Sequence, residues 1–187
     1  AQQGKVKFLC PCPGYDRHFA ICEALGIEMI NVDMTSSGPN VEQIKEYVKD
    51  PMVKGMFVVP KYSNPQGITF SAETVKAIAE LTPAASDFRI IWDNAYIVHD
   101  LTESTDKLLN IFDVLPERNK NMVIEVTSTS KISFPGAGVS CLASSEENIK
   151  EILKRLTVQS ISYDKVNMLR HVKYFKNLDG IKAHMQK

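Results

Sequence analysis

The sequence carries no surplus of either charge, with 22 Lys and Arg against 22 Asp and Glu. No basic field therefore exists to attract nucleic acid or an anionic membrane surface. No uninterrupted apolar run approaches the roughly 20 residues that cross a bilayer. The N-terminal stretch AQQGKVKFLCPCPG lacks leader architecture, because its apolar part is short and ends in prolines. Cysteine is sparse: Cys10, Cys12, Cys22 and Cys141. Cys10-Pro11-Cys12 is not a CxxC pair, and no second pair completes a zinc site, so no metal is expected. The cysteines are expected to be reduced, buried and structural, in a cytoplasmic setting. Also missing is a GxGxxG loop after the first strand, where Pro13-Gly14-Tyr15 stands instead. This argues against a doubly wound nucleotide-binding domain.

What is present is the composition of a globular protein, 44% apolar and 24% charged, with length for one domain and a sizeable core. The sequence starts at Ala1 and stops at HMQK inside a helical pattern. It is expected to be a piece of a longer polypeptide. Strand patterns occupy residues 5–12, 28–34, 55–60, 88–96, 121–130 and 138–145. Helical patterns lie between or after them: 17–26 ending at Gly26, 41–50, the stretch capped by Ser71, 108–115, 145–159 capped by Ser144 or Ser145, and 164–185 with a break near Gly180. Residues 35–40 read as a loop. The alternation predicts an α/β three-layer sandwich, a mostly parallel sheet flanked by helices, with one antiparallel strand. In such sheets ligands bind outside the carboxyl ends of the strands.

Those ends hold the chemically capable residues. The first strand runs into Gly14-Tyr15-Asp16-Arg17-His18 and the third into Ser63-Asn64-Pro65-Gln66-Gly67. The fourth ends in Asp93-Asn94-Ala95-Tyr96 and the fifth in Ser128-Thr129-Ser130-Lys131. Lys131 stands out, since a lysine at the end of a buried strand risks desolvation, which lowers its pKa and makes the amine reactive. Taken singly these are ordinary features: an Asp at a strand end often caps a turn, and NPxG is usually a turn.

In this order, PGYDRHF, NPQG, DNAY and STSK resemble the cofactor-binding large domain of fold-type I aminotransferases, in the aspartate-aminotransferase-like branch. The resemblance covers residues 5–185 and implies pyridoxal 5′-phosphate (PLP) as cofactor. It implies that residues 1–187 are an incomplete large domain, with an N-terminal segment and a C-terminal small domain outside the sequence. It implies that Lys131 forms the Schiff base with the cofactor and moves the proton at the substrate α-carbon. Asp93 would pair with the pyridine nitrogen, Asn64 and Tyr96 with the ring oxygen, Tyr15 with the ring face and Ser128 with the phosphate. His18 stands either behind Asp93 or as an ordinary core histidine; His99, His171 and His184 are assigned no chemical role.

Many relatives carry an arginine for the phosphate shortly after the lysine. Here the stretch is Pro135-Gly136-Ala137-Gly138-Val139, whose backbone N–H groups are the expected substitute. The resemblance further implies a homodimer, and transfer of an amino group from an aspartate-like or aromatic amino acid to a 2-oxo acid. Two alternatives stay open: another PLP chemistry, such as a β-lyase or decarboxylase, and an effector-sensing domain of a transcriptional regulator.

Overall fold

A computed structural model describes residues 5–102 and 104–187. Seven strands form one sheet: β1 (Lys7–Cys12), β2 (Glu28–Thr35), β3 (Gly38–Pro39), β4 (Val53–Val58), β5 (Arg89–Asp93), β6 (Val123–Ser128) and β7 (Ser140–Ser144). Their spatial order is β3-β2-β1-β4-β5-β6-β7. The five strands from β2 to β6 run parallel, and β3 and β7 pair antiparallel at the two edges. The expected architecture is thus observed, with a second, two-residue antiparallel strand inside the stretch read as a loop. Pro11 lies within β1, in register with Val32 of β2. β1 meets β4 only as far as Leu9, so Pro11 has no β4 neighbour in need of an N–H that proline lacks.

Helices cover both faces, and β1 shows why. Leu9 packs on one side with Val32, Met56, Ile90 and Trp92, against α2 (Val41–Tyr47) and α3 (Ala72–Ala79). The next residue, Cys10, points the other way and packs with Phe57 and with Cys22 of α1 (Asp16–Ala24). Burying a large apolar side chain contributes about 1.5–3 kcal/mol. The face with Leu9, Ile44, Ile78 and Trp92, all at or near complete burial, is therefore the main tie between helices and sheet. Asn40 and Ser71 cap α2 and α3, accepting the orphan N–H groups of Gln43 and Thr74 respectively.

Three further expectations are corrected. Residues 108–115 form only a three-residue 3-10 turn, Ile111–Asp113, started by an Asn110 side-chain cap and cut short before Pro116. After α4 (Glu146–Gln159), capped by Ser145, the last helical stretch breaks at Lys176-Asn177 rather than at Gly180. It thus divides into α5 (Lys165–Phe175) and α6 (Leu178–Met185). Lys176 takes a positive φ of 64°, and Asn177 caps α6 by accepting from Gly180 N–H. Gly180 sits inside α6 because a Cβ there would meet the Phe175 carbonyl at 1.8 Å. Finally, only Cys10 and Cys22 are buried; Cys12 and Cys141 are exposed. Burial pushes the Cys10 thiol up to about 12, which leaves it protonated and inert.

Candidate active site

Lys131 stands at the apex of a tight turn just past β6. The N–H groups of Ile132 and Ser133 both donate to the Thr129 carbonyl, at 2.9 and 2.8 Å. Ser128 Oγ accepts from Ser130 N–H at 3.1 Å and lies 2.8 Å from Ser130 Oγ. The Gly-rich bend folds back onto this turn. A Cβ on Gly138 would lie 2.1 Å from Ser130 Oγ and 2.8 Å from its backbone nitrogen, so only glycine fits. The exposed Lys131 side chain reaches over two rings, with Nζ 4.1 Å from the Tyr96 centroid and 5.0 Å from that of Tyr15. It also donates to the Tyr96 hydroxyl at 2.5 Å.

Asp93 ends β5, in register with Val126 of the neighbouring strand. Its Oδ2 lies 3.2 Å from His18 Nε2. A carboxylate only accepts, so the imidazole donates. His18 is 8% exposed, stacks on Phe57 at 4.6 Å and meets the Tyr15 ring edge-on at 5.3 Å. Of the two readings left open for His18, the structure puts it behind Asp93. Asn64, in the loop after β4, shares a small cleft with Tyr15 and His18. Asn94 ties the end of β5 to β6, with Nδ2 donating to Glu125 at 2.7 Å and N–H to the Val126 carbonyl at 2.8 Å.

The structure therefore brings Lys131, Tyr96 and Tyr15 together, and Asp93, His18 and Tyr15 together, with Asn64 beside them. Ser128 is at the root of the lysine turn, engaged with Ser130 rather than with the lysine. The backbone N–H groups of the Gly-rich bend are less free than expected. Ala137 donates to the Phe134 carbonyl at 3.1 Å and Val139 to Thr129 Oγ1 at 2.8 Å.

A buried network beneath Tyr96 is not visible in the sequence. Lys61, 5% exposed, donates to Asp100 Oδ1 at 2.6 Å and to the Ile97 carbonyl at 3.1 Å. The Tyr62 hydroxyl donates to the same Asp100 oxygen at 2.8 Å. Burial pushes the Asp100 carboxyl up, but the hydrogen bonds from Lys61 and Tyr62 outweigh it and hold it below the usual carboxylate value. Burial, reinforced by the hydrogen bond to Asp100, raises the Tyr62 phenol. Burial also lowers the imidazole of His99, which packs edge-on to Tyr96 at 5.1 Å. The loops that carry Asn64 and Tyr96 are thereby locked to one another.

A largely parallel sheet with an amine, a carboxylate and two phenols along its carboxyl edge defines an α/β enzyme framework with a ligand site at the strand ends. The chain belongs to the aspartate aminotransferase family: the family profile described as Aspartate amino-transferase matches residues 1–187. It is 44% identical over 188 residues to an aspartate aminotransferase of Corynebacterium glutamicum, covering 100% of the chain and 44% of that protein. A Mycolicibacterium smegmatis protein assigned by name to the aminotransferases is 48% identical over 187 residues, covering 97% of the chain and 43% of the relative. The solved structure of an aspartate transaminase from Corynebacterium glutamicum superposes with a TM-score of 0.95 at 44% identity, over 99% of the chain and 44% of that structure. The chain thus spans somewhat under half the length of these relatives. Among the described residues, no helix is long and apolar enough to cross a membrane.

Proposed function

We propose that the full-length protein is a PLP-dependent aminotransferase and that residues 1–187 form the cofactor-binding part of its large domain. The observation that carries this reading is the placement of the Lys131 amine against Tyr96 and Tyr15, with Asp93 held by His18 at the adjoining strand end. The donor set fits the cofactor: an amine for its aldehyde, a carboxylate for its ring nitrogen, phenol and amide donors for its ring oxygen, and hydroxyls for its phosphate. When bound, PLP supplies an electron sink that makes the substrate α-carbon acidic.

The chain's own groups then have distinct tasks. Lys131 holds the cofactor and, once released, moves a proton at the substrate α-carbon. Asp93 would accept a hydrogen bond from the protonated ring nitrogen and keep it protonated, with the buried His18 fixing the carboxylate in place. Tyr15 packs on the ring face; Asn64 and Tyr96 donate to the ring oxygen. Ser128 serves the phosphate. With the amides of Ala137 and Val139 already donated within the bend, the side-chain hydroxyls carry more of that task. The substrates are an amino acid, aspartate-like or aromatic, and a 2-oxo acid. The working protein is a cytoplasmic homodimer.

The test is spectroscopic. PLP added to the full-length protein is expected to give a visible band that borohydride bleaches, leaving a label on Lys131. A band that never forms, or a label on another lysine, refutes the assignment. Incubation with a panel of amino acids and 2-oxoglutarate is then expected to yield the matching amino and oxo acids. Release of ammonia and pyruvate instead would place the protein among the lyases.

A further inference from the structure

Three side chains from α5 and α6 grip the turn that carries Lys131. His171 Nδ1 lies 2.9 Å from the Asn167 carbonyl, one helical turn earlier. A carbonyl only accepts, so Nδ1 carries the proton and Nε2 of the neutral ring is left as an acceptor. Nε2 lies 2.9 Å from Thr129 Oγ1 and 3.0 Å from Ser133 Oγ. Thr129 Oγ1 already accepts from Val139 N–H, which leaves its own proton for His171. The Ser133 hydroxyl is placed to donate to the Thr129 carbonyl at 3.0 Å. In this assignment each hydroxyl proton is used once: Nε2 takes that of Thr129, and Ser133 Oγ stands beside Nε2 as a contact rather than as a donor to it.

The other two grips fall on the same loop. His184 Nε2, on α6, lies 2.9 Å from the Ile132 carbonyl and therefore donates to it. Asn167 Nδ2 donates to the Ala137 carbonyl at 2.7 Å. Lys131 is thus bracketed by ties at residues 129, 132 and 137, all from one helical hairpin. Its own side chain is exposed and, among the described residues, is held by the Tyr96 hydroxyl and the ring faces of Tyr96 and Tyr15. A long lysine stem has many rotamers, so the backbone beneath it decides where the amine is offered.

We propose that the α5–α6 hairpin positions Lys131, with His171 as a positioning residue that acts through Thr129. This rests on the reading of Lys131 as the cofactor-bearing lysine. The test compares the full-length protein with His171→Phe, His171→Gln, Thr129→Val and the double variant His171→Phe/Thr129→Val. The readouts are hydrogen exchange at the amides of residues 129, 132, 133 and 139, and the rate at which the visible band forms when PLP is added to cofactor-free protein.

In His171→Phe those amides are expected to exchange about 3- to 10-fold faster, the factor for losing one hydrogen bond of ordinary net strength. Amides of β1 should keep parental rates. Thr129→Val should loosen the same amides, and Val139 further because its N–H also loses its acceptor, while the double variant should add nothing to Thr129→Val, since the His171 contact is shared. His171→Gln, whose amide oxygen sits near the Nε2 position, should return to parental rates. Band formation should slow in step with the loosening. Unchanged exchange in the single variants, or additive effects in the double, overturns the proposal. If His171→Phe fails to fold, Thr129→Val carries the same test without touching α5. Borohydride labelling separates the two ideas. A label on Lys131 with unaltered variants removes this inference alone, whereas a label elsewhere removes the proposed site.

Discussion

The Lys61–Asp100 pair offers a sharp test of how the site is held. The Lys61 side chain is 6% exposed and that of Asp100 23%, so the two partners are not equally able to find water. Removing one member of a buried ion pair costs roughly 3–5 kcal/mol, because the survivor is left as an uncompensated charge. In Lys61→Met the survivor is the carboxylate, which keeps the Tyr62 hydroxyl as donor and has access to solvent. Its cost should fall below that range, to about 2 kcal/mol. In Asp100→Leu the survivor is an almost fully enclosed ammonium whose remaining partners among the described residues are the Ile97 carbonyl and the Tyr62 ring, and the Tyr62 hydroxyl loses its acceptor. This variant should cost the full ~3–5 kcal/mol. The double variant should recover to within about 1–2 kcal/mol of the parent, since no charge remains buried. Urea unfolding midpoints of the four proteins, at constant m, measure all three values. If Lys61→Met proves the worse single variant, or if the two costs simply add, the account of this network is wrong.

Asp93→Ala is expected to hold PLP weakly and to lose turnover, read from the visible band and from product formation; near-normal turnover would contradict the role proposed for the carboxylate. His99 is held below its ordinary value of 6.5 by burial, so the folded state resists a proton that the unfolded chain accepts. Stability should therefore decline as pH falls from 6.5 toward the lowered folded value, and His99→Gln should flatten that decline in denaturation curves taken across the range. Gly138→Ala would drive a Cβ against the Ser130 backbone at 2.8 Å and should cost about 1–3 kcal/mol, with faster exchange at Val139 N–H as the local signature.

The site's outline was legible because its residues fall where apolar runs stop. Tyr15, Asn64 and Lys131 each follow a strand pattern closely and Asp93 lies toward the end of one, and parallel strands deliver such ends to one edge. The edge strand β3 was not legible, since two residues carry no periodicity. Nor was the Lys61–Asp100 pair. Lys61 follows a strand as Lys131 does, but its partner is 39 positions away and no spacing links the two. His171 was set aside for a similar reason: Thr129 and Ser133 lie 42 and 38 positions off in sequence. The break at Lys176 was misplaced because glycine is the usual residue for a helix stop. Here a lysine adopts the positive φ, while Gly180 serves the close approach to Phe175.

The five parallel strands also divide the molecule by tolerance to change. Their starting ends are fastened by a separate set of bonds: Lys7 to Asp50, Lys54 to Asp87, and Asn119 to the carbonyls of Ala79 and Leu81. None of these reaches Lys131, Asp93 or Tyr96. Affinity tags, fluorophores or stabilising substitutions placed along that far edge are insulated from the chemistry by the length of the strands. An engineer could rework the starting end of this sheet for solubility while leaving the candidate site at the other end untouched.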